Sequence, residues 1–132
     1  MTPSQQNILA VAAGGAAGAV SRVLGNAAVT ALVPPTPFPW GILVINILGG
    51  FAMGLLQGRI LRSGSPHTLL YSLLGTGFLG GFTTVSSFAI DTYTLYAQSP
   101  VAALVNIAAN VLLCLAAAGA GFAVSGARLR RA

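Results

Sequence analysis

Four long apolar runs, separated by short polar or proline-rich links, organise this chain of 132 residues. Crossing a bilayer core of about 30 Å takes roughly 20 predominantly apolar residues at about 1.5 Å of rise each. The runs at residues 8–32, 40–61, 69–96 and 101–124 reach that length, so the pattern predicts one domain, 1–132, of four transmembrane helices. An outer-membrane barrel would instead alternate polar and apolar residues over strands of about 10 positions, and these runs are continuous. The first run ends at Pro34-Pro35-Thr36-Pro37-Phe38-Pro39, where proline lacks an amide donor and its ring clashes with the preceding turn. Trp40 opens the second run at a place suited to an interfacial aromatic. A polar link, Arg62 to His67, leads to the third.

The third run, Leu69 to Tyr96, would be about 42 Å long as a straight helix, more than the bilayer needs. Its middle holds Gly75, Gly77, Gly80 and Gly81. Each glycine costs about 1 kcal/mol in a helix relative to alanine, so a break is expected near Gly80 and Gly81. The pairs Gly14/Gly18, Gly50/Gly54, Gly54/Gly58 and Gly77/Gly81 place small residues one turn apart. That spacing lets helix backbones approach closely, and four short helices enclose so little room that the approach is expected to extend to contacts between subunits.

Composition supports a membrane setting. Hydrophobic residues make up 55% of the chain, charged residues only 5%, and mean hydropathy is +0.86, whereas a soluble domain carries about 25% charged residues. The net charge of +5 comes from arginine, with Asp91 the single acid. No basic patch is interleaved with exposed aromatics, which argues against nucleic acid as a partner. The N-terminus lacks a basic region followed by a small-residue cleavage site, so the first run is expected to stay in the membrane. Cys114, the single cysteine, cannot form an intrachain disulfide, and His67 alone cannot supply bis-histidine haem ligation.

Lipid cannot satisfy polar groups, so polar residues inside a span face a partner helix or a watery path. Arg22, toward the end of the first span, either snorkels to the interface or stands as a fixed cation beside a vestibule. Asn46 is the only strongly polar residue between Trp40 and Leu56. Asn106, Asn110 and Cys114 recur at i, i+4 and i+8, stacking on one helix face. That polar stripe serves either as interhelical glue or as a donor-lined permeation track. Asp91 lies in the second half of the third span, where an arginine or solvent is its expected companion. It sits nearer an end than the mid-membrane carboxylate that proton coupling usually uses.

The segment Gly77-Phe-Leu-Gly-Gly-Phe-Thr-Thr-Val-Ser-Ser-Phe88 resembles the third-helix signature of the Fluc (CrcB) family of fluoride channels, Gly-x-Cys-Gly-Gly-x-Thr-Thr-Phe-Ser-Thr-Phe. Gly14-Gly-Ala-Ala-Gly-Ala-Val-Ser-Arg22 is similar to the family's first-helix pattern, and Gly41-Ile-Leu-Val-Ile-Asn46-Ile-Leu-Gly-Gly-Phe to its second. The resemblance implies an all-α fold of four transmembrane helices, the third broken near its middle, assembled as an antiparallel, dual-topology dimer with two narrow pores. It also implies a structural sodium ion at the dimer centre, held by backbone carbonyls whose positions match Gly80 and Thr83 in both subunits. A hard cation takes oxygen ligands, and an unwound helix releases carbonyls. In the implied pore, Phe88 offers a ring edge to the anion, Ser86 and Ser87 match hydroxyl positions, and Asn46 matches the second-helix asparagine. Asn106 and Asn110 fall on the fourth-helix polar face, and Arg22 is the vestibule charge. The first pore phenylalanine is replaced by Val85, and the signature cysteine by Leu79.

The function implied is passive, selective export of cytoplasmic fluoride through the cell membrane, with no bond made or broken and so no enzyme. Arg59, Arg62, Arg128, Arg130 and Arg131 fall on the side of the termini, and at most Arg22 on the other. Under the positive-inside rule both termini are then cytoplasmic. A homodimer that inserts both ways should have balanced arginines, so the bias points to a heterodimer with an oppositely oriented homologue, in which Val85 is a degenerate pore element. Two other classes compete. A small multidrug-type exporter would carry a first-helix glutamate, and the chain has none. A membrane anchor subunit would co-purify with a soluble partner and pass no ion alone.

Overall fold

The computed structural model describes residues 2–64 and 68–126. His67, Arg128, Arg130 and Arg131, which enter the charge argument or the loop reading above, lie outside the described residues. Helix α1 covers Pro3–Leu32, α2 Trp40–Ser63 and α3 Thr68–Leu70. A π-helical segment at Tyr71–Leu79 and the short α4 at Gly80–Phe82 continue the third span. Helix α5 follows at Val85–Gln98 and α6 at Pro100–Val124. Four helical stretches are long and apolar enough to cross a membrane, and no strand occurs among the described residues. Most side chains on the outer helix faces are apolar and exposed, as a surface meeting lipid requires.

The helix starts follow from capping chemistry. Helix α1 begins five residues before the apolar run because Thr2 and Gln5 form a capping box. The Gln5 N–H donates to Thr2 Oγ1 at 3.3 Å and the Thr2 N–H to Gln5 Oε1 at 2.8 Å. Pro3 and Pro100 occupy first-turn positions, where a missing N–H costs nothing. Ser99 caps α6 by accepting the Ala102 N–H at 3.3 Å. At the start of α2, the Phe38 and Trp40 rings meet with centroids 4.7 Å apart.

Two pairings dominate the packing. Helix α2 runs along α6, and α1 runs along the π-helical segment and α4. Ile42, Leu43 and Ile45 on α2 supply half of the buried apolar side chains, which places α2 at the centre. The expected small-residue contacts form within the chain. A methyl group at Gly18 would be driven into the Phe78 carbonyl oxygen, and one at Gly14 into that of Leu73. The π-helical turn is wider and rises less per residue than an α-helix, so the third span is shorter than its residue count predicts.

The break itself falls later than glycine content suggests. Gly80 and Gly81 are helical, and the chain extends at Thr83 (φ −79°, ψ 159°) and Thr84 (φ −151°, ψ 123°). The glycines here serve close packing: a methyl at Gly81 would enter the Gly15 carbonyl of α1. A threonine supplies what a restarting helix needs, a side-chain acceptor held in extended backbone.

Candidate functional site at the broken helix

In an uninterrupted helix the Thr84 N–H would pair with the Gly80 carbonyl and the Ser87 N–H with the Thr83 carbonyl. Neither bond forms. The Thr84 N–H donates to Asn46 Oδ1 at 2.9 Å, and Asn46 Nδ2 donates back to the Thr84 carbonyl at 3.2 Å. The side-chain amide of α2 thus pairs with an extended residue much as a neighbouring strand would. The Ser87 N–H donates to Thr84 Oγ1 at 3.1 Å, capping α5. The Thr84 hydroxyl also lies 3.2 Å from both Ser86 Oγ and Ser87 Oγ. Thr83 folds back, its N–H and Oγ1 both donating to the Leu79 carbonyl at 3.0 and 2.9 Å.

The interruption therefore leaves the Gly80 and Thr83 carbonyls without their helical amide partners. Arg22 reaches this point, with one guanidinium nitrogen 3.4 Å from the Thr83 carbonyl oxygen. Two carbonyl oxygens are a chemically suitable donor set for a hard cation. Among the described residues no group of three His, Cys, Asp or Glu side chains is placed to hold a metal, so backbone oxygens are the ligands available there.

The asparagines form a second layer. Asn46 Nδ2 donates to Asn110 Oδ1 at 3.0 Å, and Asn110 Nδ2 donates to both the carbonyl and Oδ1 of Asn106, at 3.1 and 3.0 Å. Every amide proton on Asn46 and Asn110 is thus engaged inside the chain. Asn106 is fully buried (0% exposed) and donates to Thr92 Oγ1 at 2.8 Å.

Two hollows gather most of the expected site residues. A groove of about 400 Å³ between α2, the break and α6 brings together Asn46, Gly80, Thr83, Val85, Phe88 and Asn110. Ser87 opens instead on a more polar cavity of about 800 Å³ beneath the proline-rich connector, beside Asp91. Asn106 lines neither, and Ser86 stands exposed at the first turn of α5. Val85 is 79% exposed and points away from its own subunit's core. Asp91 Oδ2 is buried without a hydrogen-bond partner among the described residues.

Two residues that hold the site escape a reading by apolar runs and amide spacing: Thr84, the hub of the break, and Thr92, the acceptor for Asn106. Thr84 carries a signal, a hydroxyl residue directly before an amphipathic helix. Replacing it with valine should destabilise the subunit by about 1–2 kcal/mol, the usual cost of a lost cap, while serine should restore most of it. A thermal unfolding series on the purified protein would read both.

Four membrane-crossing helices, one interrupted at a capped threonine and held there by buried amides, define an all-α multi-pass membrane protein. The family described as CrcB-like protein, Camphor Resistance (CrcB), matches residues 9–122, and the chain belongs to it. Relatives named fluoride-specific ion channel FluC include one from Rhizobium etli, 42% identical over 88% of this chain and 93% of its own length. One from Paracoccus denitrificans is 44% identical over 91% and 94%, respectively. A Thermobifida fusca relative, named fluoride-specific ion channel FluC 2, is 42% identical over 95% and 92%.

Proposed function

We propose that this protein is a passive fluoride channel that lets fluoride accumulated in the cytoplasm leave through the cell membrane. The observation that carries this reading is the broken third span: Ser86, Ser87 and Phe88 follow directly on a break buttressed by Asn46, in a family whose relatives are named fluoride-specific. Fluoride is small and strongly hydrated, so a path must replace its water with closely set donors. The Ser86 and Ser87 hydroxyls supply donors and the Phe88 ring edge a positive rim, with Asn46 and Asn110 at the groove wall and Asn106 behind them. Arg22 adds fixed positive charge to the same region.

The central sodium ion belongs to this proposal. Gly80 and Thr83 would offer it their carbonyls, and an antiparallel partner would complete the set. When bound, the ion supplies positive charge that ties the two breaks together. The partner we propose is an oppositely oriented homologue rather than a second copy, with both termini of this chain cytoplasmic. Two features support it: the bias of five arginines to the terminal side against Arg22, and Val85, which is exposed where the family signature has an aromatic ring.

Liposomes test both levels. Fluoride efflux from vesicles holding this chain with a neighbouring homologue, against chloride as control, should be fast and fluoride-selective, and slow with this chain alone. In the isolated chain Val85→Phe should raise efflux by about tenfold or more, by restoring a ring edge to both pores. No efflux in either preparation would exclude the channel and favour an anchor subunit. Equal labelling of a terminal cysteine from both membrane sides would exclude the fixed orientation.

A further inference from the structure

Five hydrogen bonds form a one-way circuit that leaves α5 at its front and returns to it two turns later. The Thr84 N–H donates to Asn46 Oδ1 (2.9 Å), Asn46 Nδ2 to Asn110 Oδ1 (3.0 Å), and Asn110 Nδ2 to Asn106 Oδ1 (3.0 Å). Asn106 Nδ2 then donates to Thr92 Oγ1 (2.8 Å), and Thr92 Oγ1 to the Phe88 carbonyl (2.7 Å). The path runs from the break across α2, along one face of α6, and back to α5. A threonine donating to the carbonyl four residues earlier is common in helices and by itself carries no role. Here the same hydroxyl is also an acceptor, which commits its single proton to Phe88.

The direction of every link is fixed by its neighbours. Turning the Asn106 amide over would set its oxygen against Thr92 Oγ1, whose proton is already committed, and its NH₂ group against the NH₂ group of Asn110. The other two asparagines are constrained in the same way. Aligned bonds of this kind polarise one another in a low-dielectric interior, and each loses strength when a link is cut. The circuit starts at Thr84, the N-cap of α5, and re-enters that helix at Thr92, about 12 Å further along its axis. Val85 to Asp91 lie between them, among them Ser86, Ser87 and Phe88.

We propose that Thr92 is a positioning residue for this stretch, acting through Asn106, Asn110 and Asn46 on the Thr84 backbone, about two helical turns away. It touches no ion. It closes the circuit that sets the rotation of α5 about its own axis, and so the facing of the two serine hydroxyls and the Phe88 ring. The role in conduction rests on the fluoride reading above, whereas the circuit itself does not.

Side-chain amide hydrogen exchange, followed by NMR on protein labelled at asparagine with ¹⁵N, tests the circuit whether or not the chain conducts. Thr92→Val keeps the shape and removes the hydroxyl, Thr92→Ala removes it with a residue any helix accepts, and Thr92→Ser keeps it. Exchange at Asn106, Asn110 and Asn46 should quicken by about fivefold or more in the first two and stay as in the parent in the third. Unchanged exchange at Asn46 in both hydroxyl-free variants would overturn the proposal, because the link would then end locally. In vesicles that pass fluoride, Thr92→Val should lower efflux about five- to tenfold and narrow the preference for fluoride over chloride, with Thr92→Ser restoring both. Parent-like efflux and preference in Thr92→Val would overturn the positioning role. If the parent passes no fluoride even together with the homologue, the channel reading fails while the exchange result still decides the circuit.

Discussion

Replacing Asn46 with leucine should all but silence the protein, lowering fluoride efflux by more than about a hundredfold, and should destabilise the subunit by about 3–5 kcal/mol. The side chain accepts the Thr84 N–H and donates to both the Thr84 carbonyl and Asn110. Thr84 is only 6% exposed, so water cannot take over. Leucine removes all three bonds and leaves a donor, the Thr84 N–H, and two acceptors, the Thr84 carbonyl and Asn110 Oδ1, without this partner, each costing up to about 1–3 kcal/mol. Asn46→Asp separates the contributions. A carboxylate can still accept the Thr84 N–H, but it faces the oxygens of Thr84 and Asn110 with no proton to give. It should therefore rescue little at neutral pH. Efflux paired with a chemical or thermal unfolding series gives both numbers, and near-normal stability of Asn46→Leu would show that the break is held by something else.

The second large effect lies far from the break. A methyl group added at Gly54 would be driven into the Ala118 carbonyl oxygen of α6, with the carbonyl carbon only 2.8 Å away. The obstacle is backbone, which cannot rotate aside. Overpacking in a core costs about 1–3 kcal/mol where side chains adjust. Gly54→Val should exceed that range, because it pries apart α2 and α6, which carry Asn46 and Asn110 to each other. Gly119 is the matched control: it lies on α6 and a Cβ there meets nothing within 4 Å. Gly119→Ala should be neutral or stabilise by up to about 1 kcal/mol through helix propensity alone. Yield of folded protein and thermal midpoint in detergent distinguish the two. Equal loss in both would mean that glycine content, and not this contact, matters.

The spans and their order were legible because each rests on local chemistry, the length of an apolar run and the prolines or polar links that end it, and the interruption of the third was legible from its glycines. The position of the interruption was not, because glycine reads as helix weakness while its use here is packing. Gly14, Gly18, Gly77 and Gly81 sit where α1 and the π-helical segment with α4 press backbone on backbone. The Asn106, Asn110 and Cys114 stripe was legible as one face of α6, yet its destination was not. Asn110 pairs with Asn46, 64 residues away, and Asn106 with Thr92 on another helix, and no periodicity along one helix encodes a partner on the next. Arg22 reads equally as an interfacial charge or a vestibule cation, and only the packing of α1 brings it beside the Thr83 carbonyl.

The break is partly closed off within a single chain. Asn46, Arg22 and the Thr84 hydroxyl engage the Thr84 N–H and carbonyl, the Thr83 carbonyl and the Ser87 N–H from the same polypeptide. Much of the irregular backbone is therefore clothed as soon as α1 and α2 pack against it, so the chain's own side chains let a non-helical stretch sit at membrane depth.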